Sequence, residues 1–160
     1  MSHLPVDHPL RGLYRGLTIV TGAASVAYGA TALAQTSGGS FTDGEGEKVW
    51  GLMTANPAAG VFWIVVGGIA LLAALAGRNI DAKVNSVLGP FLWVVGTIGL
   101  IFIRNGDNFL AFTVTSVCVM YTIGTLWFTA ALYAGVSTSS AVRRPSSADS
   151  SSKEPVGAAH

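Results

Sequence analysis

The chain has 160 residues, 51% of them hydrophobic and only 11% charged, with a formal net charge of +1. That is far below the roughly 25% charge of an average soluble domain, and nine scattered Lys and Arg without a basic patch argue against nucleic acid as a partner. A lone cysteine, Cys118, rules out an intrachain disulfide and a Cys-x-x-Cys redox pair.

Four stretches carry no charge: residues 16–42, 49–77, 84–103 and 108–142. Each can supply the roughly 20 apolar residues that a helix needs to cross a bilayer. The sequence therefore predicts an all-α integral membrane protein, a four-helix antiparallel bundle over residues 1–136 followed by a disordered tail over 137–160.

The first span is placed at residues 13–34, behind Arg11 and Arg15 and rich in small residues. Ala32-Leu33-Ala34 resembles a signal-peptidase site, but the apolar run exceeds a secretory signal core, so a retained span is expected. A connector rich in Gly and acids follows. Its Asp43, Glu45 and Glu47 begin like a calcium loop, yet Lys48 stands where the turn glycine belongs and Thr54 where the bidentate Glu belongs, so a solvated acidic loop is expected.

Asn56-Pro57 reads as a helix start, with Asn as N-cap and Pro in the first turn, and opens the second span, 57–76. Residues 78–83 form a tight polar turn into the third span, 84–103, where Pro90 falls in the first two turns and costs little. A second tight turn, with Arg104, Asp107 and Asn108, leads into the fourth span, 109–133, with Asp107 or Asn108 as its cap. Short connections make consecutive spans antiparallel neighbours.

Orientation follows the cations. One side carries Arg11, Arg15, Arg78, Lys83, Arg143, Arg144 and Lys153, the other only Lys48 and Arg104. Both termini are therefore expected in the cytoplasm. Aromatic residues gather near the span ends, as a headgroup boundary favours, and Trp127 fits either that belt or a helix contact.

Helices in lipid associate through close backbone approach and polar contacts. The expected packing faces are Thr21, Ser25 and Gly29 in the first span, Gly60 and Gly67 in the second, Gly89 and Gly96 in the third, and Ser116 and Gly124 in the fourth. Apart from Arg15, at the edge of the first span, no charged residue falls inside the four spans as bounded above, which speaks against proton or ion coupling. His3, His8 and His160 are in the tails, so haem held between helices is not expected. Cys118 is expected to be buried and inert.

Candidate functional features are correspondingly few, and no catalytic residue, cofactor or metal is expected. Asp43, Glu45, Glu47, Arg104 and Asp107 could form an outer contact for a partner. The hydroxyls of the first and fourth spans could line a seam for a lipid or quinone headgroup. Ser146, behind Arg143-Arg144, fits a basophilic kinase pattern, although the arginine pair also suits anionic lipid.

The run His8-Pro9-Leu10-Arg11-Gly12-Leu13-Tyr14-Arg15, with Gly22, Gly29, Asn56-Pro57, Gly77-Arg78-Asn79, Asn85, Leu88-Gly89 and Asp107-Asn108, resembles an actinobacterial family of small four-helix membrane proteins catalogued as a domain of unknown function. The likeness spans about residues 8–135. It implies a multi-pass protein of the bacterial plasma membrane and no activity. Members often carry a histidine early in the fourth span, where this chain has Phe and Thr, so no role of that histidine transfers.

The expected role is a non-enzymatic accessory or scaffold subunit, with the lipid bilayer and other membrane subunits or itself as partners. The alternative is a homo-oligomeric permease or a protein that binds lipid or quinone.

Overall fold

The computed structural model describes residues 9–105 and 108–134. Four helices make up most of it: α1 Arg11–Thr36, α2 Pro57–Ala76, α3 Ile80–Asn105 and α4 Val114–Tyr133. A hairpin, β1 Glu47–Val49 and β2 Met53–Ala55, sits between α1 and α2. All four helices are long and apolar enough to cross a membrane. At 1.5 Å per residue, α2 and α4 span about 30 Å, one hydrocarbon core, whereas the 26 residues of α1 and of α3 reach about 39 Å. The added turns bring Arg11 into α1, ahead of Arg15, and Asp81, Lys83 and Arg104 into α3.

Local chemistry sets the helix ends. Asn56 Oδ1 accepts the Ala59 amide at 2.8 Å, and Pro57 occupies the first turn, where its missing N–H costs nothing. Gly77, Arg78 and Asn79 then take positive φ in succession, reversing the chain within three residues. Such a backbone suits Gly and is tolerated by Asn, while Arg78 takes it at some cost.

Helix α4 begins at Val114, later than its apolar run. Thr113 caps it in a reciprocal box: the Ser116 amide donates to Thr113 Oγ1, and the Thr113 amide donates to Ser116 Oγ. Asn108 does not cap this helix. Its side chain closes the preceding turn instead, Oδ1 accepting from the Phe112 amide at 2.6 Å and Nδ2 donating to the Phe112 carbonyl. Asp107, the other expected cap, is outside the described residues. Because α3 starts at Ile80, Pro90 lies in the helix interior, where Ser86 loses its usual i+4 amide donor.

The helices pack as two close pairs, α1 with α2 and α3 with α4. In the first pair a Cβ on Gly29 would stand 2.5 Å from the Gly60 carbonyl oxygen, and one on Gly60 would stand 2.9 Å from that of Gly29. Further along, a Cβ on Gly67 would meet the Ser25 Cβ at 2.6 Å and the Gly22 carbonyl at 2.9 Å. The second pair repeats this at Gly89 and Gly124, each of whose added Cβ would approach the other's carbonyl oxygen to 2.7 or 2.8 Å. Of the remaining expected packing residues, Gly96 has only ordinary clearance, 3.5 Å to Tyr121, and Ser116 serves the α4 cap. Thr21 links helices by another route.

Trp127 of α4 is fully buried and donates from Nε1 to Thr21 Oγ1 of α1 at 2.8 Å. Trp127 is therefore a helix contact, not a boundary anchor. Most other span hydroxyls return to the carbonyl four residues back, as Thr18, Ser25, Thr122 and Thr125 do.

Replacing Gly29 or Gly89 with Ala is expected to cost about 1–3 kcal/mol by overpacking. Gly68→Ala, with nothing within 4 Å of the new methyl, is expected to be neutral or to gain up to about 1 kcal/mol from helix propensity. Thermal unfolding in mild detergent tests the contrast, and three equal shifts would refute the glycine contacts.

Candidate functional site

Two features stand out from the packing: an apolar cleft beneath the hairpin and a polar cluster at the opposite end of α1. The cleft has a volume of about 230 Å³. Ala24, Ser25 and Tyr28 of α1 form one side and Thr115, Val119 and Ile123 of α4 the other, with Trp63 of α2 behind and Trp50, Leu52 and Met53 of the hairpin above. This is the seam between the first and fourth spans that the sequence suggested for a headgroup. Its lining is apolar and aromatic, however: Ser25 turns back on the Thr21 carbonyl of its own helix, and the Tyr28 hydroxyl is taken up by the hairpin.

The hairpin roof is held by backbone geometry and by amide side chains. Trp50 and Gly51 both take positive φ, the condition of a type I′ turn, and the Leu52 amide donates to the Val49 carbonyl at 3.2 Å. For Trp this conformation costs about 1–2 kcal/mol. It brings the indole edge-on to Tyr28, with ring centroids 5.5 Å apart, and Trp63 approaches the same phenol at 6.2 Å. The Tyr28 hydroxyl donates to the Thr54 carbonyl at 3.5 Å.

Asn56 ties the roof to the rest of the chain. While its Oδ1 caps α2, its Nδ2 donates to the carbonyls of Asp43, at 2.9 Å, and Phe109, at 2.7 Å. Thr54 Oγ1 donates to the Ala111 carbonyl, and Asn108 Nδ2 to that of Gly44. Gly46, at φ +58°, passes so close that an added Cβ would lie 2.6 Å from the Ala111 Cβ. The connector after α1 is thus stitched to the segment before α4.

The acidic residues Asp43, Glu45 and Glu47 are exposed on this stitched surface, and Arg104 is exposed at the end of α3. Asp107, Ser146 and the tail lie outside the described residues. Among the described residues no group of three His, Cys, Asp or Glu could hold a metal ion. Cys118, expected to be buried, is exposed on α4, because the side of that helix that packs inward runs through Met120, Gly124 and Trp127.

The polar cluster is what the sequence boundaries hid. Asp81, assigned to a turn, lies in the first turn of α3 and is only 1% exposed, as is Asn85 one turn on. Asn85 Nδ2 donates to Thr18 Oγ1 of α1 at 3.1 Å, joining helices that otherwise barely touch. Arg15 of α1 reaches α2, its Nε donating to the Ala74 carbonyl at 2.6 Å and Nη2 to that of Leu75 at 2.9 Å. These are carbonyls of the last helical turn, so Arg15 acts as a cap supplied from a neighbouring helix. Asp81 Oδ1 accepts the Ala82 amide at 3.0 Å. Three buried side-chain atoms among the described residues have no hydrogen-bond partner, and all belong to this end: Arg11 Nε, Asp81 Oδ2 and Asn85 Oδ1. The i,i+4 spacing of two buried polar residues was the available signal. That pair straddles the boundary between the polar turn at 78–83 and the apolar run that follows it.

No family model, curated protein or solved structure matches the chain.

Asn56→Ala removes the α2 cap and both links to the neighbouring connectors. The expected loss is about 2–3 kcal/mol, one for the cap and about one for each tether. Chemical unfolding measures the loss, and hydrogen exchange over residues 43–56 should quicken in parallel; unchanged exchange there would show that Asn56 does not hold the roof.

Proposed function

We propose that this is a non-enzymatic, multi-pass protein of the bacterial plasma membrane that holds an isoprenoid or acyl chain in the cleft between α1, α4 and the hairpin. The observation that carries this reading is the cleft itself. It is apolar on all sides, walled by Trp50, Tyr28 and Trp63, and closed above by a roof whose hydrogen bonds are independent of any ligand. Concave, largely apolar and preformed sites of this kind are where membrane-soluble molecules bind. The lining favours the tail of a lipid or the ring and tail of a quinone over the headgroup expected from the sequence.

The four helices form an antiparallel bundle on this reading, which the register supports: Gly22 meets Gly67 whereas the later Gly29 meets the earlier Gly60. The cation count supports cytoplasmic termini, with the hairpin on the outer face. The resemblance to the actinobacterial family supports the plasma-membrane setting.

The accessory-subunit role is a second reading, favoured by the exposed row Val87, Phe91, Val94, Ile98 and Ile101 on α3. Its spacing of four and three is that of a helix-docking seam.

One preparation separates the two. Protein extracted in mild detergent should carry a prenyl or acyl ligand near one per chain by mass spectrometry, and Val119→Trp, which fills the cleft, should lower that content at least tenfold without loss of folding. Wild-type protein with no enriched ligand but with a stoichiometric membrane-protein partner, lost on Phe91→Lys, would replace the first reading by the second. A reporter fused after Lys153 is expected to signal from the cytoplasm, and an external signal would invert the topology.

A further inference from the structure

We propose that Arg11, Asp81 and Asn85 form a binding site for a single hydroxyl group at the end of α1 and α3 away from the hairpin. Asp81 and Asn85 are each more than nine-tenths buried, and each keeps one oxygen with no partner. The remaining unpartnered atom there, Arg11 Nε, is a donor.

The three belong together by helix geometry. Asp81 and Asn85 are four residues apart, so their side chains lie one above the other on one face. The bond from Asn85 to Thr18 fixes that face against α1. Arg11 stands seven residues before Thr18, two turns along the same face. At 1.5 Å per residue, Asp81 lies about 6 Å from the level of Asn85, and the Arg11 backbone about 10 Å from that of Thr18. An arginine side chain covers the difference.

The requirement for an occupant follows from what the site offers. Arg15, the other cation at this end of α1, is engaged with the carbonyls of Ala74 and Leu75. Arg78 and Lys83, the cations nearest Asp81 in sequence, are exposed, so Arg11, whose Nε is buried, is the cation placed by helix geometry to balance Asp81, and no hydrogen bond joins the two directly. With one cation and one anion already present, a metal cation or an anion would leave the site charged. A neutral group that accepts from Arg11 Nε and donates to Asp81 Oδ2 or Asn85 Oδ1 satisfies both sides. A hydroxyl does this, and a water molecule, with two protons, serves both oxygens at once. Its source is either water or the glycerol hydroxyls of a phosphatidylglycerol headgroup.

The test couples Arg11 to Asp81 through the bridge. The full chain is placed in nanodiscs of phosphatidylglycerol and, separately, of phosphatidylserine, which has the same charge but no diol. Thermal unfolding of Arg11→Gln, Asp81→Asn and the double variant is compared with wild type. The double variant is expected to lose less than the sum of the singles, by about 3 °C or more. Coupling only in phosphatidylglycerol assigns the hydroxyl to the headgroup; coupling in both lipids assigns it to water when the magnetisation transfer described below is also seen, and without that transfer it is direct attraction between the two charges and overturns the site. Additive losses in both would overturn the site.

Should a single variant fail to fold, solid-state NMR of labelled wild-type protein provides the second measurement. Hydroxyl or water protons are expected to transfer magnetisation to the side-chain carboxyl carbon of Asp81 and the carboxamide carbon of Asn85. Absence of transfer to both would equally overturn the proposal.

Discussion

Close approach of backbones at a few glycines is the constraint on which the rest of this structure depends. Apolar side chains gain little by leaving lipid for another helix, so attraction between helices in a bilayer must come from dense packing and polar contacts. Gly29 against Gly60, Gly22 against Gly67 and Gly89 against Gly124 bring carbonyl oxygens to where a methyl group would collide. These contacts fix the register of α1 on α2 and of α3 on α4. They also leave the two pairs with fewer contacts to each other, and the seam between them is joined by side chains: Trp127 to Thr21 and Asn85 to Thr18. The cleft lies in that seam because the pairs are tight internally and looser with respect to one another.

Charge sits where this division exposes or encloses it. The acids of the hairpin connector are exposed and turn outward from a framework built of amide side chains, with Asn56 and Asn108 holding main-chain carbonyls. At the other end Asp81 is enclosed, and burial of a carboxylate costs several kcal/mol unless charges and hydrogen bonds compensate it. An apolar core flanked by one exposed and one enclosed polar end gives the molecule two chemically distinct ends.

Much of the helical framework was legible in the sequence because helices long and apolar enough to cross a membrane need a length and a composition that the charge-free runs record directly. Of the six expected packing glycines, five make close helix contacts and Gly96 an ordinary one, since small residues at spacings of four and seven have few other uses in such helices. Their partners were not legible, because pairing Gly29 with Gly60 depends on the angle at which the helices cross. Helix α3 was misjudged at its start for a definite reason. Hydropathy marks where lipid contact begins, whereas hydrogen bonding lets a helix run further, and Asp81 fell in the difference. The hairpin was hidden by its Gly-rich surroundings, although Trp50-Gly51 between Val49 and Met53 has the form of a turn between short alternating strands. Cys118 was misplaced because an apolar helix carries no polar stripe to tell its inner face from its outer one.

Arg15 has a consequence for the order in which this chain takes shape. The last carbonyls of a helix are its hardest groups to satisfy in lipid, and here those of α2 are served by a guanidinium from α1. For a chain that enters a bilayer from its N-terminus, α1 is already present when α2 arrives. The glycine contacts and the polar end of the first pair accordingly need no residue of α3 or α4. The second pair brings its own internal links, Trp93 to Thr125 and Thr97 to Tyr121. Each pair thus carries its own polar links, and few side chains join one pair to the other.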